Sequence, residues 1–296
     1  YLKIKTNINV DKFRVNSKKN QILDAEEIIK LLDYNKKNNI MIVDCYSIDH
    51  IWEEKVKKKL NKLIVIDDLA NRIHNCDYLI DQTINRKKLS YIRITNSKCK
   101  LLLGSKYSII RRQYNKLIAN KKFFMNIFDR LNISFGNFDD KNLVLRALKE
   151  VNKSNFKFKR IDVFLSKYSK YYKNVKQFRD QSKINFNLYS DTKKFPEMLS
   201  NSTLCIGAGG TTSWERCIMQ VPSIVINAAN NQNTIIKELK KEKLIFYAGS
   251  SKVKKLKIIN GIKYYNNINN LKFFISKAKQ KFDIYGIKRI ISEANI

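Results

Sequence analysis

Histidine, proline and glycine are scarce in this chain of 296 residues, at two, two and eight respectively. His50 and His74 lack the spacing of a metal-ligand pair, so no metal site is expected. Cys45, Cys76, Cys99, Cys205 and Cys217 are odd in number and form no Cys-x-x-Cys pair. That excludes a disulfide scaffold and points to a reducing, cytoplasmic compartment. No apolar run approaches the roughly 18–20 residues that cross a bilayer, so no membrane span is expected. Tyr1 opens the sequence without a signal-peptide pattern. Acidic residues are also few: 26 against 59 Lys and Arg, a net charge of +33. Such a charge admits two readings, a polyanion partner or a compositional bias. Of the basic residues 47 are lysine and 12 arginine, spread along the whole chain. Nucleic-acid surfaces cluster their charge and use arginine forks, so the bias is preferred and no nucleic-acid partner is expected. In either case the field favours a small anionic substrate.

What is abundant is short apolar runs: IMIVD (40–44), LIVID (63–67), DYLID (77–81), KLLLG (100–104), RLNISFG (130–136), RIDVFL (160–165), NFNLYS (185–190), TLCIG (203–207) and SIVIN (223–227). Continuous rather than alternating, they predict strands buried on both faces. The segments 139–154 and 233–244 read as amphipathic helices. The alternation predicts an α/β fold with parallel sheets. A basic connector over 108–124 places a domain boundary near residue 125. The expected division is 1–125, 126–270, and a helical segment 271–296 packing back toward the first domain.

Three of the eight glycines, Gly207, Gly209 and Gly210, fall within four residues between TLCI and a helical stretch. A glycine loop opening a helix presents free N–H groups and the positive dipole end, a ready anion site, to which Thr211, Thr212 and Ser213 add hydroxyls. The plainer reading of Thr212-x-x-Glu215 is a capping box. Both stay open here.

The stretch GAGGTTSWERCIMQVPSIVINAANNQ (207–232) resembles the C-terminal signature of the UDP-2,4-diacetamido-2,4,6-trideoxy-β-L-altropyranose hydrolases of pseudaminic acid synthesis. Four further segments are similar to that family in order: VDCYSIDHIWEE (43–54), IDDLANRIHNCDYLIDQ (66–82), LLLGSKYSIIRRQY (101–114) and ISFGNFD (133–139). The resemblance implies a GT-B-type architecture, two Rossmann-like domains facing a cleft. It implies hydrolysis of the anomeric C–O bond of a UDP-sugar with release of UDP, without a metal or other cofactor; a monomer is expected. Gly209, Gly210, Thr211 and Thr212 would hold the diphosphate and Glu215 the ribose. Asn231 and Gln232 would face sugar and diphosphate, or simply open the next helix. Ser134 and Gly136 would line the first turn of the second domain, where Asn137 replaces the family's second glycine. Asp44 and Tyr46 would serve the sugar side; the alternative for Tyr46 is a loop aromatic closing the core. Cys45 stands where the family has histidine. His74 reads as a structural hydrogen-bonder or a functional group, and Trp52 and Trp214 as core anchors.

The family's catalytic histidine lies in a Gly-x-Gly-His-x-x-Arg motif after the first strand, and residues 1–40 contain nothing like it. The resemblance therefore implies a first domain truncated at its N-terminus. It implies little hydrolase activity from residues 1–296 alone, restored by an upstream segment carrying the motif. The competing functions are a UDP-sugar-dependent glycosyltransferase of the same fold, a non-catalytic UDP binder, and a basic nucleic-acid-binding protein.

Overall fold

The computed structural model describes residues 17–32, 39–119, 121, 126–190 and 192–296. The boundary expected near residue 125 and most of the stretch searched for the histidine motif lie outside the described residues. Two compact units divide the chain: residues up to Tyr107 together with Arg289–Ile296, and Ser108–Lys288. No helix among the described residues is long and apolar enough to cross a membrane.

The first unit contains α1 (Lys18–Leu31), β1 (Ile40–Val43), α2 (His50–Lys57), β2 (Lys62–Ile66), β3 (Tyr78–Asp81) and β4 (Lys100–Leu103). Its sheet runs β1-β2-β3-β4, all parallel. The apolar runs bury Leu63, Ile64, Val65, Leu79 and Ile80 completely or nearly so, each worth about 1.5–3 kcal/mol of transfer free energy. Ser17 caps α1 and Asp49 caps α2 through backbone N–H groups of Asn20 and Ile51. The two helices are tied by Trp52 Nε1 donating to Asp24 Oδ2 at 2.6 Å and Asp49 N donating to Gln21 Oε1 at 3.1 Å. Trp52 is the core anchor the sequence suggested, 3% exposed.

The second unit contains α3 (Gln113–Ala119), β5 (Arg130–Ser134), α4 (Leu143–Lys153), β6 (Arg160–Phe164), α5 (Tyr172–Gln181), β7 (Asn187–Tyr189), α6 (Phe195–Ser200), β8 (Leu204–Ala208), α7 (Thr212–Ile218), β9 (Ser223–Asn227), α8 (Asn233–Lys241), β10 (Phe246–Ser250), α9 (Ile258–Asn266) and α10 (Ile268–Lys281). Its all-parallel sheet has the order β10-β9-β8-β5-β6-β7. Numbered within the unit this is 6-5-4-1-2-3, the doubly wound order of dinucleotide-binding folds. Trp214 is buried and stacks on Phe282, with ring centroids 5.6 Å apart.

All nine apolar runs form strands, but only the inner ones are buried on both faces: in β1 Ile40 and Ile42 are exposed, and β7 has no fully buried residue. β10 was not anticipated, because FYAGS is only partly apolar and carries a glycine at φ +123°. The expected domain limits differ from the compact units. Residues 108–119 belong with the second unit, where Tyr114 is fully buried against Glu215. α10 also belongs there, and only the end of α11 (Gly286–Ala294), from Arg289 onward, counts with the first.

Candidate functional site

In the second unit β5 and β8 are neighbours, and the chain winds away from them in opposite directions. Such a switch point opens a crevice at the carboxyl ends of its strands. A cavity of about 440 Å³ occupies that place. Ser134 lines it from the end of β5 and Gly136 and Asn137 from the turn beyond, Ser166 from the turn after β6, Ala208 from the end of β8, and Gly210, Thr211 and Thr212 from the turn and helix start that follow. Gly136 has φ +84°, a left-handed turn that favours glycine. Beside it Asn137 keeps a negative or extended backbone and accepts from Ser166 N at 2.8 Å through its carbonyl. One wall is aromatic. Phe164 stacks with Tyr189 (5.4 Å, 24°) and meets Phe195 edge-on (5.0 Å, 84°), and all three line the cavity.

The glycine cluster divides by role. A Cβ at Gly207 would overlap the Arg216 guanidinium and stand 2.6 Å from the Ser134 carbonyl oxygen. A Cβ at Gly209 would stand 2.5 Å from Ile236 Cδ1 and 3.2 Å from Val225 Cγ1. Both glycines therefore permit close packing. At Gly210 the nearest atom is Gln232 Nε2 at 3.8 Å, and this glycine lines the cavity. Alanine at 207 or 209 is expected to cost about 1–3 kcal/mol, the range for overpacking. Alanine at 210 is expected to cost under about 1 kcal/mol, and urea unfolding checks all three. An equal cost at 210 would contradict this division.

Several expectations are corrected here. Gly209 does not line the cavity, and its N–H is already given to Gln232 Oε1 at 3.2 Å. The capping box is not formed: Thr211 is the N-cap, with helical backbone and no side-chain cap bond, and Glu215 is at the fourth helical position. Glu215 does not line the cavity either. Arg111 binds it through Nε at 2.9 Å and Nη2 at 3.3 Å, and the Tyr114 hydroxyl donates to it at 3.1 Å. Three donors thus engage this carboxylate, which is 7% exposed. It anchors Arg111, whose guanidinium lies 5.5 Å from the Phe195 ring and does line the cavity. Asn231 is exposed and outside the cavity. Gln232 lines it, with Oε1 also accepting from Ala228 N at 3.1 Å.

The residue that sequence reasoning missed is Arg216. It is 4% exposed yet lines the cavity. Nη2 donates to the Ala208 carbonyl and, at 2.8 Å, to Ser213 Oγ, while Nε has no partner. Among the described residues no carboxylate forms an ion pair with it. Burial depresses its pKa, the mark of a charge short of compensation. A buried charge is strongly unfavourable unless paired, so Arg216 calls for an anion. The signal was present in the sequence: an arginine on a helix flanked by Trp214, Cys217 and Ile218, all buried.

In the first unit, Asp44 and Tyr46 follow the end of β1, and both are exposed. Tyr46 is thus not a core aromatic. Its hydroxyl donates to Asp68 Oδ1 at 2.8 Å, and Arg72 lies 5.9 Å from its ring centroid. Arg72 also binds Asp67 and donates to the Ile48 carbonyl at 2.8 Å, fixing the Tyr46 turn from below. His74 is 1% exposed, with Nδ1 2.7 Å from Glu53 Oε1 and Nε2 3.8 Å from Asp67 Oδ2. Burial works against its charge, but the Asp67 and Glu53 carboxylates outweigh burial and raise it to about 9. The two carboxylates thus favour its protonated form, with Nε2 left without a hydrogen-bond partner. Burial likewise works to raise Asp67, and His74 and Arg72 hold it well below the usual carboxylate range.

Solved structures of similar shape settle the class of fold. MurG of Acinetobacter baumannii matches over 91% of this chain and 77% of its own, at 12% identity and a TM-score of 0.61. The fold is of the GT-B type. MnaA of S. aureus, solved with UDP, matches over 93% and 77%, at 11% identity and a TM-score of 0.59. The UDP-GlcNAc 2-epimerase of Neisseria meningitidis, bound to UDP-GlcNAc, matches over 94% and 84%, at 14% identity and a TM-score of 0.53. No protein-family model and no curated protein matches the sequence. The two units are thus the two Rossmann-like halves of a GT-B chain, and the cavity lies in the second.

Proposed function

We propose that the cavity of the second unit binds the nucleotide of a UDP-sugar and that the protein hydrolyses the sugar's anomeric C–O bond. The observation that carries this reading is Arg216, a buried guanidinium without a carboxylate, on the switch-point cavity. A diphosphate supplies the missing negative charge. Gly210 N–H, the hydroxyls of Thr211, Thr212 and Ser134, and the Gln232 amide surround the same space, donors of the kind that oxyanions require. The aromatic wall of Phe164, Tyr189 and Phe195 offers flat apolar surface for a base. Solved UDP complexes of the same fold support a uridine nucleotide.

In the proposed reaction a water oxygen attacks the anomeric carbon and releases a proton to solvent. The bond from that carbon to the diphosphate oxygen breaks, and its electron pair stays on UDP. Arg216 and the surrounding donors stabilise the charge that develops on the leaving group, more strongly there than on the intact ester. Asp44 and Tyr46, the latter held by Asp68, serve the sugar side. The five ordered segments shared with the altropyranose hydrolases support UDP-2,4-diacetamido-2,4,6-trideoxy-β-L-altropyranose as the sugar nucleotide.

The test is UDP release from that sugar nucleotide in ¹⁸O-water, with the product of the complete reading frame. Release without any acceptor, with the label in the sugar and none in UDP, is the expected result. Turnover only with an added acceptor would move the reading to a glycosyltransferase, which several structures of like fold are named as. Label in UDP would overturn anomeric cleavage. Tyr46→Phe is expected to lower kcat about 10-fold or more, since it removes one polar contact made at the reacting end. An unchanged kcat would remove Tyr46 from the site.

A further inference from the structure

Cys76 and Cys99 precede β3 and β4, at the end of the first unit's sheet opposite to Asp44 and Tyr46. Their sulfurs stand 3.6 Å apart. Asn96 holds the two segments together, its Nδ2 donating to the Cys76 carbonyl at 2.9 Å and to Asn75 Oδ1 at 3.1 Å. Lys100 N donates to the Asp77 carbonyl at 2.8 Å, so the strands are fixed just beyond the sulfurs. A disulfide bond is about 2.05 Å long, so the sulfurs must approach by roughly 1.5 Å to bond.

The two thiols are unequal. Cys76 is fully buried, whereas Cys99 is partly exposed and lines a cavity of about 570 Å³ with Lys88, Lys98, Lys100 and Lys106. The Cys76 thiol hydrogen-bonds Cys99 and, with Lys57 and His74, holds it below the usual thiol range against burial. Cys99 in turn, and then burial, push Cys76 up. One sulfur thus has access and lysines about it, and its neighbour is protected, the arrangement of an attacking and a resolving cysteine. Cys205 and Cys217 make the contrast. They are buried, and burial pushes each up to about 12.

We propose that Cys99 and Cys76 form an oxidative modification site that takes a hydroperoxide. The Cys99 thiolate attacks a peroxide oxygen, the O–O bond breaks, and the alkoxide or hydroxide takes a proton from solvent and leaves as alcohol or water, giving Cys99 sulfenic acid. The Cys76 sulfur then attacks the Cys99 sulfur, the S–O bond breaks, and water leaves with the Cys76 proton. Two thiols are oxidised by two electrons in total and one peroxide is reduced. A dithiol reverses the modification by thiol–disulfide exchange. The site is independent of the nucleotide reading, and either can fail without the other.

The experiment exposes the reduced protein to hydrogen peroxide, removes it, and counts thiols after denaturation. Five free thiols, one per cysteine, are expected to fall to three, with a linked peptide pair containing Cys76 and Cys99 on non-reducing mass spectrometry. Dithiothreitol should restore all five. In Cys76→Ser, dimedone should label Cys99, and in Cys99→Ser it should label neither position. Iodoacetamide should modify Cys99 at least about 10-fold faster than Cys205 or Cys217. Five free thiols after peroxide in the folded protein would overturn the proposal. So would a bridge that includes Cys45.

Discussion

Arg216→Met is expected to weaken UDP binding about 100-fold or more while leaving the unliganded protein nearly as stable as before. The two halves of that result have different origins. Binding falls because the guanidinium is the one buried positive charge on the cavity without a carboxylate partner among the described residues. A charge-assisted contact with phosphate in such a place is worth roughly 2–5 kcal/mol, and 100-fold corresponds to about 2.7 kcal/mol. Stability changes little because two effects oppose. Replacing a buried charge by an apolar side chain of similar length is often stabilising, by about 1–4 kcal/mol. The Ala208 carbonyl and Ser213 hydroxyl lose their donor, at about 1–3 kcal/mol. Calorimetry with UDP and urea unfolding without it measure the two halves separately. A variant that binds UDP as tightly as the parent would show that Arg216 has only a packing role. A variant that unfolds would leave Arg216→Lys, which keeps the charge but not the fork, to be measured for partial affinity.

The second large effect lies in the first unit. Glu53→Leu is expected to destabilise it by about 3–5 kcal/mol, the usual result of removing one partner from a buried ion pair. Glu53 is fully buried, and its two oxygens serve His74 Nδ1 and the Asn75 N–H. Without it His74 retains only Asp67, at 3.8 Å. The same cluster sets a pH dependence. His74 titrates near 9 in the folded chain against an ordinary 6.5. Its proton is held more tightly folded than unfolded, so the stabilisation is complete below pH 6.5 and is lost as pH rises through 9. The linked change is on the order of 3 kcal/mol. Thermal or urea unfolding between pH 6 and 10 should show that decline in the parent chain and a flatter profile in Glu53→Gln. A parent profile without the decline would mean that His74 is neutral at pH 7.

The sheet was readable from sequence because burial on both faces leaves an unbroken apolar run, as in LIVID and SIVIN. FYAGS escaped because its run is only partly apolar and is interrupted by Gly249. The glycine bend was readable as a place where backbone must come close to something. What it approaches was not. Gly207 makes room for Arg216 and Gly209 for Ile236, contacts with residues 9 and 27 positions away. Glu215 could not be assigned from its position on the helix, because its partners Arg111 and Tyr114 arrive from a segment about a hundred residues earlier. His74 looked ambiguous for the same reason: only the fold puts Glu53 and Asp67 on either side of it. The aromatic wall was out of reach as well, since Phe164, Tyr189 and Phe195 come from three separate elements.

The account stands on a diphosphate filling the space before Arg216, and isothermal titration of residues 1–296 with UDP, UMP and uridine measures that directly. It predicts one UDP per chain, bound at least about 10-fold more tightly than UMP and 100-fold more tightly than uridine, because the charge of the second phosphate is what the cavity lacks. No heat of binding from UDP at millimolar concentration, or uridine bound as tightly as UDP, would contradict it.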